Sequence, residues 1–263
     1  MKKNKNKSGK YYQVYGRNNC IPVLNNPSYN IIDIFISKDR VSKYKNLIAD
    51  KKNNKKVKIL NKSTFYEKFS GDRSQGLVVT FNGEIINNIN EDKFVNKDSC
   101  LLILDQIEDP QNAGQIIRTS ECAGIDGIIY PVHNSFKITN SVLNVSQGAF
   151  VNVPLYEVTN ISRTIQNLKN NDFWVVGIEN TKDAELWSDI DYSGKTAIIV
   201  GSEGKGIRKN IINHCDFLGK IPMQGSINSL NVSAAVSAIL FERLRQIRWV
   251  WEGYMASTHD YIK

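Results

Sequence analysis

Metal and disulfide chemistry have little to work with in this 263-residue chain. Its three histidines, His133, His214 and His259, stand far apart, and its four cysteines, Cys20, Cys100, Cys122 and Cys215, form no CxxC pair. Neither set has the spacing of a zinc site, and scattered cysteines suit free thiols in a reducing compartment. The expectation is a cytoplasmic protein that needs no metal. No apolar run approaches the roughly 20 residues of a membrane helix, so no membrane partner is expected. The opening MKKNKNKSGK has lysines with no hydrophobic stretch behind them. It also lacks the arginine and amphipathic period of a mitochondrial presequence, so no targeting segment is expected there.

What is present is ordinary globular composition, 41% hydrophobic and 23% charged, with a lopsided charge. The formal net charge is +8. Residues 1–100 hold 20 Lys and Arg against 9 Asp and Glu, whereas residues 101–263 hold 14 against 17. A basic half joined to a mildly acidic half suggests that one part grips a polyanion while the other does something else. A bias toward lysine and asparagine on solvated faces would also raise the charge, but it should have made both halves basic.

Pattern divides the chain in the same place. After a basic tail, residues 1–10, the runs IIDIFIS, KVKILN and GLVVTF read as strands, with RVSKYKNLIAD and KSTFYEKFSG between them as helices. That alternation predicts a small α/β domain over residues 11–82, and the polar, weakly patterned residues 83–97 read as a linker. From residue 98 to 263 the rhythm resumes. CLLILDQ, GIIYP, VPLYEV, FWVVGIE, KTAIIVG and FLGKIPM are strands, interleaved with helical segments such as NAGQIIRTSECAG and ISRTIQNLKNN. Near-continuous apolar strands between helices predict a mostly parallel sheet covered on both faces, whose ligands sit beyond the carboxyl ends of the strands.

Three loops fall at such ends: DQIEDPQNAG, GSEGKG and PMQGSINSLN. The glycine-rich one is a poor phosphate cradle. Its Gly-Lys is followed by Gly206 rather than Ser or Thr, it fails GxGxxG, and Glu203 would repel a phosphate while tolerating a neutral or cationic ligand. A tight turn that uses Gly204 and Gly206 for positive φ accounts for the glycines but gives Glu203 no role. Asn112 stands where a helix begins, and Arg118 follows on that helix with Glu121 three residues on, placed for a salt bridge. Ser229 and Asn231 precede a helix rich in alanine and serine, where either could serve as an N-cap.

Taken together and in order, NAGQIIRT, IIVGSEGKGI and IPMQGSINSLNVSAA resemble the three motifs of the SpoU/TrmH family of RNA ribose methyltransferases, within the SPOUT superfamily. The likeness runs over residues 100–247. The N-terminal unit is similar to the substrate-binding domain of the subgroup that methylates a guanosine of large-subunit ribosomal RNA, through VYGRNNCIPVL and DRSQGLVV, although Ser74 stands where that subgroup commonly has histidine.

The resemblance implies an α/β fold whose C-terminal SPOUT domain has a mostly parallel sheet and a deep trefoil knot, beside a small N-terminal α/β RNA-binding domain. It implies S-adenosylmethionine as cofactor, with Gly201, Ile221 and Leu230 in contact with it. Arg118 would stabilise the developing alkoxide of a ribose 2′-hydroxyl, or act as base if its pKa were strongly perturbed, with Asn112, Glu203, Ser229 and Asn231 completing the catalytic site. It further implies ribosomal RNA as substrate, transfer RNA being the alternative within the family, and a homodimer. A non-catalytic RNA-binding assembly factor of the same fold is the rival outside enzymes. The aromatic tail RWVWEGYMASTHDYIK, with Trp249, Trp251 and Tyr254, reads as packing against the parent domain, with cover for the dimer seam as the alternative.

Overall fold

The computed structural model describes residues 10–49, 54–69 and 74–256. The basic tail up to residue 9 and the side chains of Trp249, Trp251 and Tyr254 lie outside what is described. Two compact units emerge: Met1–Ile85 with Ile138–Val151, and Ile86–Lys137 with Asn152–Lys263.

The first unit holds β1 (Tyr11–Tyr15), α1 (Arg17–Asn25), β2 (Asn30–Ser37), α2 (Lys45–Ala49), β3 (Val57–Leu60), α3 (Lys62–Lys68) and β4 (Leu77–Asn82). Its four strands run in the order β1-β4-β2-β3, antiparallel except for the β2-β3 pair. The RVSKYKNLIAD segment is helical only at its end, because a 3-10 stretch, Lys38–Tyr44, precedes α2.

The second unit holds β5 (Ile86–Asn87), β6 (Cys100–Asp105), α4 (Pro110–Ala123), β7 (Gly127–Pro131), β8 (Leu155–Val158), α6 (Ile161–Lys169), β9 (Trp174–Ile178), β10 (Glu185–Leu186), β11 (Thr196–Gly201), α7 (Lys209–Ile212), β12 (Phe217–Lys220) and α8 (Val232–Ala256). Its eight strands, in the order β10-β12-β9-β11-β6-β7-β8-β5, pair in parallel throughout. All six residues of β6 are buried, as a central strand covered on both faces requires. Leu101, Ile103, Ala197 and Ile199 form one core with Ile161, Ile165 and Leu168 of α6, whose spacing puts them on a single face. Each fully buried Leu or Ile contributes about 1.5–3 kcal/mol relative to exposure.

Two segments differ from the pattern reading. Residues 83–97, expected as a linker, carry β5, which adds the outermost strand beside β8, and Phe94, which is 8% exposed in the core of the second unit. ITNSVLNVSQGA, residues 138–149, reads from its pattern as one helix of the C-terminal domain; residues 138–151 belong instead to the first unit and hold α5 (Asn140–Val145) and a 3-10 turn, Ala149–Val151. The reason is the edge strand β1. Gln13 N donates to Asn140 Oδ1 and Tyr15 N to Asn144 Oδ1, both at 2.9 Å, while Asn144 Nδ2 donates to Gln13 O at 3.0 Å. Two asparagine side chains thus satisfy an edge that would otherwise lack a partner.

Candidate active site

The first motif is built on α4. Asp109 caps it, its Oδ2 accepting from Asn112 N at 2.8 Å, Pro110 opens it, and Gly124 closes it at φ 68° in the left-handed region. Asn112 is therefore held in the first turn. Arg118 is exposed, with no ion pair or hydrogen bond among the described residues. The salt bridge to Glu121 is not formed, since Glu121 accepts instead from Asn152 Nδ2 at 3.1 Å.

The second motif leaves the end of β11. Gly204 and Gly206 have φ of 82° and 67°, the left-handed turn expected of them, and Gly206 N donates to Ser202 O at 2.9 Å. A Cβ on Gly201 would lie 2.0 Å from the Gly206 carbonyl carbon, so the turn closes against bare backbone. Beyond the turn, two carboxylates from the flanking strands pin successive amides. Ile207 N donates to Glu179 Oε2 at 2.7 Å and Arg208 N to Asp105 Oδ2 at 2.9 Å. The Arg208 guanidinium also reaches Asp105, with Nη2 2.7 Å and Nε 2.9 Å from Oδ1.

The third motif enters α8. Asn231 Oδ1 accepts from Ser233 N at 2.9 Å, which caps the helix, and Asn231 Nδ2 donates to Asn112 Oδ1 at 3.0 Å. One side chain thus serves as the cap and as the bridge between the first and third motifs. Thr119 Oγ1 and Ser237 Oγ, 3.2 Å apart, hold α4 against α8 farther along.

Two neighbouring clefts result. The larger, of about 370 Å³, is lined by the Gly201–Gly206 turn together with Glu179, Ile221, Ser229 and Leu230. The smaller, of about 260 Å³, is lined by Asn112, Asp109 and Gln106, and shares Ser202, Glu203, Lys205 and Val232 with the larger. The three residues expected at a cofactor, Gly201, Ile221 and Leu230, come together in one cleft with Glu203 and Ser229. Asn112 and Asn231 meet beside it. Arg118 lines neither cleft of its own chain.

The sequence model of the SpoU rRNA Methylase family matches residues 99–241. The chain belongs to this family. A putative TrmH family tRNA/rRNA methyltransferase of Staphylococcus aureus strain MSSA476 is 43% identical over 148 residues, covering 56% of this chain and 59% of that protein's length. The 23S rRNA (guanosine-2'-O-)-methyltransferase RlmB of Shewanella oneidensis is 39% identical over 195 residues, covering 73% of this chain and 79% of its own. Among solved structures, the SpoU methyltransferase AviRb from Streptomyces viridochromogenes in complex with AdoMet superposes with a TM-score of 0.76 at 20% identity, over 90% of each chain. That last likeness establishes the fold.

Within this SpoU domain, reading the motifs missed Asp105, Glu179 and Arg208. Asp105 had a signal: it is a carboxylate ending an otherwise wholly apolar strand, and it is fully buried. A buried carboxylate needs a cationic or hydrogen-bonding partner, and Arg208, straight after the glycine turn, was available. Glu179 had none, since nothing in FWVVGIE separates a site residue from a solvated strand end.

Proposed function

We propose that the chain transfers a methyl group from S-adenosylmethionine to the 2′-hydroxyl of a ribose in ribosomal RNA, a guanosine of the 23S molecule. The observation that carries this is the Asn231–Asn112 hydrogen bond at 3.0 Å, which draws the first and third motifs together beside the cleft that the second and third line. The residues fit the cofactor. The cleft has the volume of a small-molecule site, its walls mix Val200, Ile221 and Leu230 with turn backbone, and Ser202 Oγ is buried without a partner among the described residues. Its acids, Glu179 and Glu203, suit a cationic sulfonium.

When bound, the cofactor supplies an electrophilic methyl group. A ribose hydroxyl is a weak nucleophile, so the chain's own task is to align it and to offset the charge that develops on its oxygen. Arginine keeps its proton at neutral pH, and Arg118 is assigned that stabilisation, anchored by an RNA phosphate, rather than the role of a free base. Asn112, Ser229, Asn231 and Glu203 hold the ribose and the guanidinium by hydrogen bonds. Because Arg118 stands outside both clefts of its own chain, it is assigned to the cleft of a second copy, and the active form is a homodimer. Leu230 at 41% and Phe241 at 48% exposure supply apolar surface for that pairing. The close packing of α8 on α4 through Ser237, and the small Ser233, Ala234 and Ala238, support a trefoil knot at this point.

The ribosomal substrate is favoured over transfer RNA because the match to the Shewanella protein, 195 residues, outruns the family segment 99–241. A transfer-RNA substrate is the second reading, since the Staphylococcus relative is named for both RNAs. A non-catalytic factor is disfavoured by the retention of Arg118, Glu203 and Asn231 together. Mapping ribose methylation in ribosomal and transfer RNA from cells with and without the gene tests the proposal. A 23S guanosine that loses its 2′-O-methyl group is the expected result, and unchanged ribosomal RNA would refute it.

A further inference from the structure

Glu179 stands just past the end of β9, beside β11, and lines the larger cleft. One of its oxygens is committed, since Oε2 accepts from Ile207 N at 2.7 Å. The other, Oε1, has no partner among the described residues, and no lysine or arginine pairs with this carboxylate there. The fold also makes room for it. A Cβ on Gly206 would lie 2.3 Å from Oε2 and 2.5 Å from Oε1, so only glycine at that position allows the carboxylate to lie against the turn.

A half-buried carboxylate at the carboxyl end of a parallel strand, fixed by one oxygen and with the other unpartnered among the described residues, is a pure acceptor in the wall of the cleft. Positively charged groups and vicinal hydroxyls are the two chemistries it serves. A sulfonium offers charge without a hydrogen-bond donor. A ribose diol offers two donors at a spacing that a single carboxylate can bind, which is how an acid at a strand end reads ribose in unrelated parallel α/β folds.

We infer that Glu179 recognises the 2′,3′-diol of the nucleoside in the cleft, while its second oxygen fixes the exit of the glycine turn. The inference rests on the cofactor reading above and adds a residue to it. It makes the site selective for ribonucleosides over their deoxy counterparts, and it gives Glu179 one function on the ligand and one on the loop.

Calorimetric titration of the full chain with S-adenosylhomocysteine and with its 2′,3′-dideoxy analogue tests this directly. The thioether probe carries no sulfonium charge, and both probes carry the same α-ammonium group, so attraction between Glu179 and a cation cancels in the ratio of their affinities. Wild-type protein is expected to bind the dideoxy analogue roughly ten- to a hundred-fold more weakly, the range of a hydrogen bond to a charged group. In Glu179→Ala that ratio should collapse to within about threefold, chiefly by weaker binding of the parent probe. Glu179→Gln keeps an acceptor for the Ile207 N–H and should fold, with a ratio between the two. Equal affinity of the wild type for both probes would overturn the diol assignment while leaving the cofactor reading intact. So would a wild-type ratio carried unchanged into the variants. No binding of S-adenosylhomocysteine by the wild type would overturn both.

Discussion

The fully buried carboxylate of Asp105 holds Arg208 at both ends of the residue, taking its main-chain N–H at 2.9 Å and its guanidinium at 2.7 Å. The two partners are not equally buried: the Arg208 side chain is 39% exposed and that of Asp105 is 0% exposed. Removing one partner strands the other, and only Arg208 has water to fall back on.

The asymmetry sets an order for two variants. Arg208→Ala leaves a charge in the interior and should cost about 3–5 kcal/mol of stability. Asp105→Asn keeps an acceptor for the Arg208 N–H and frees a guanidinium that can be resolvated, so about 1–3 kcal/mol is expected. Urea unfolding at pH 7 measures both, provided the slopes match wild type. A reversed order would show that the pair does not organise the turn.

Much of this arrangement was legible beforehand, and the reasons are local. The runs CLLIL and AIIV read as buried strands because burial on two faces is what explains four or five consecutive apolar positions. The helix α4 reads in sequence from Asn112 to Gly124, and it starts two residues earlier, at Pro110, because Asp109 caps it and proline suits the first turn. The motif order placed Asn112 and Asn231 at one site, which no periodicity could have done.

The illegible parts are those settled at long range. Asn140 and Asn144 look like ordinary polar positions of a helix, yet they complete the edge of a strand some 130 residues earlier. The two-residue β5 is too short to show alternation, and it forms because β8 offers a free edge. Likewise α1 carries Pro22 in its interior, so its sequence argues against the helix that tertiary packing of Cys20, Val23 and Leu24 imposes.

Arg118 should separate catalysis from stability. It is exposed and has no partner among the described residues, so Arg118→Ala is expected to shift stability by no more than about 0.5 kcal/mol. Methyl transfer should be abolished while S-adenosylmethionine binding, read by calorimetry, stays within a few-fold, because a group acting in the transition state affects turnover rather than ground-state affinity. Mixing Arg118→Ala with Asn231→Ala protein should restore part of the activity if the site is completed across a dimer. A mixture as inactive as its components would place all the groups in one chain.

Thiol chemistry provides an independent check on the packing. Cys122 is exposed, Cys20 and Cys100 are buried, and burial pushes the thiols of Cys100 and Cys215 up to about 11 and that of Cys20 higher. The thiolate is the reactive form, so these three should be nearly inert at pH 8. One equivalent of a maleimide is expected to react quickly with native protein, and Cys122→Ser should remove that phase. Fast labelling of two or more sites would mean that a core position is open.

The charge asymmetry leads to the last prediction, and the structure changes how it must be tested. Cutting the chain before residue 98 would remove β5 and Phe94 from the second unit and would also divide the first, which includes Ile138–Val151. A loss of RNA affinity after that cut would therefore not isolate charge. Deleting residues 1–9 avoids the difficulty, since it removes four lysines and no described element. Each lysine that neutralises a phosphate adds about 0.7–0.9 to the slope of log affinity against log salt. The shortened protein should bind a ribosomal RNA fragment with a slope smaller by roughly 1–3, and the difference in affinity should close as salt rises. Methylation of that fragment at saturating RNA should be unchanged, because the tail contributes attraction and not alignment. Identical slopes for the two proteins would mean that the tail's lysines touch no phosphate, and the basic excess would then have to act through fixed residues such as Arg17, Lys43 and Lys62.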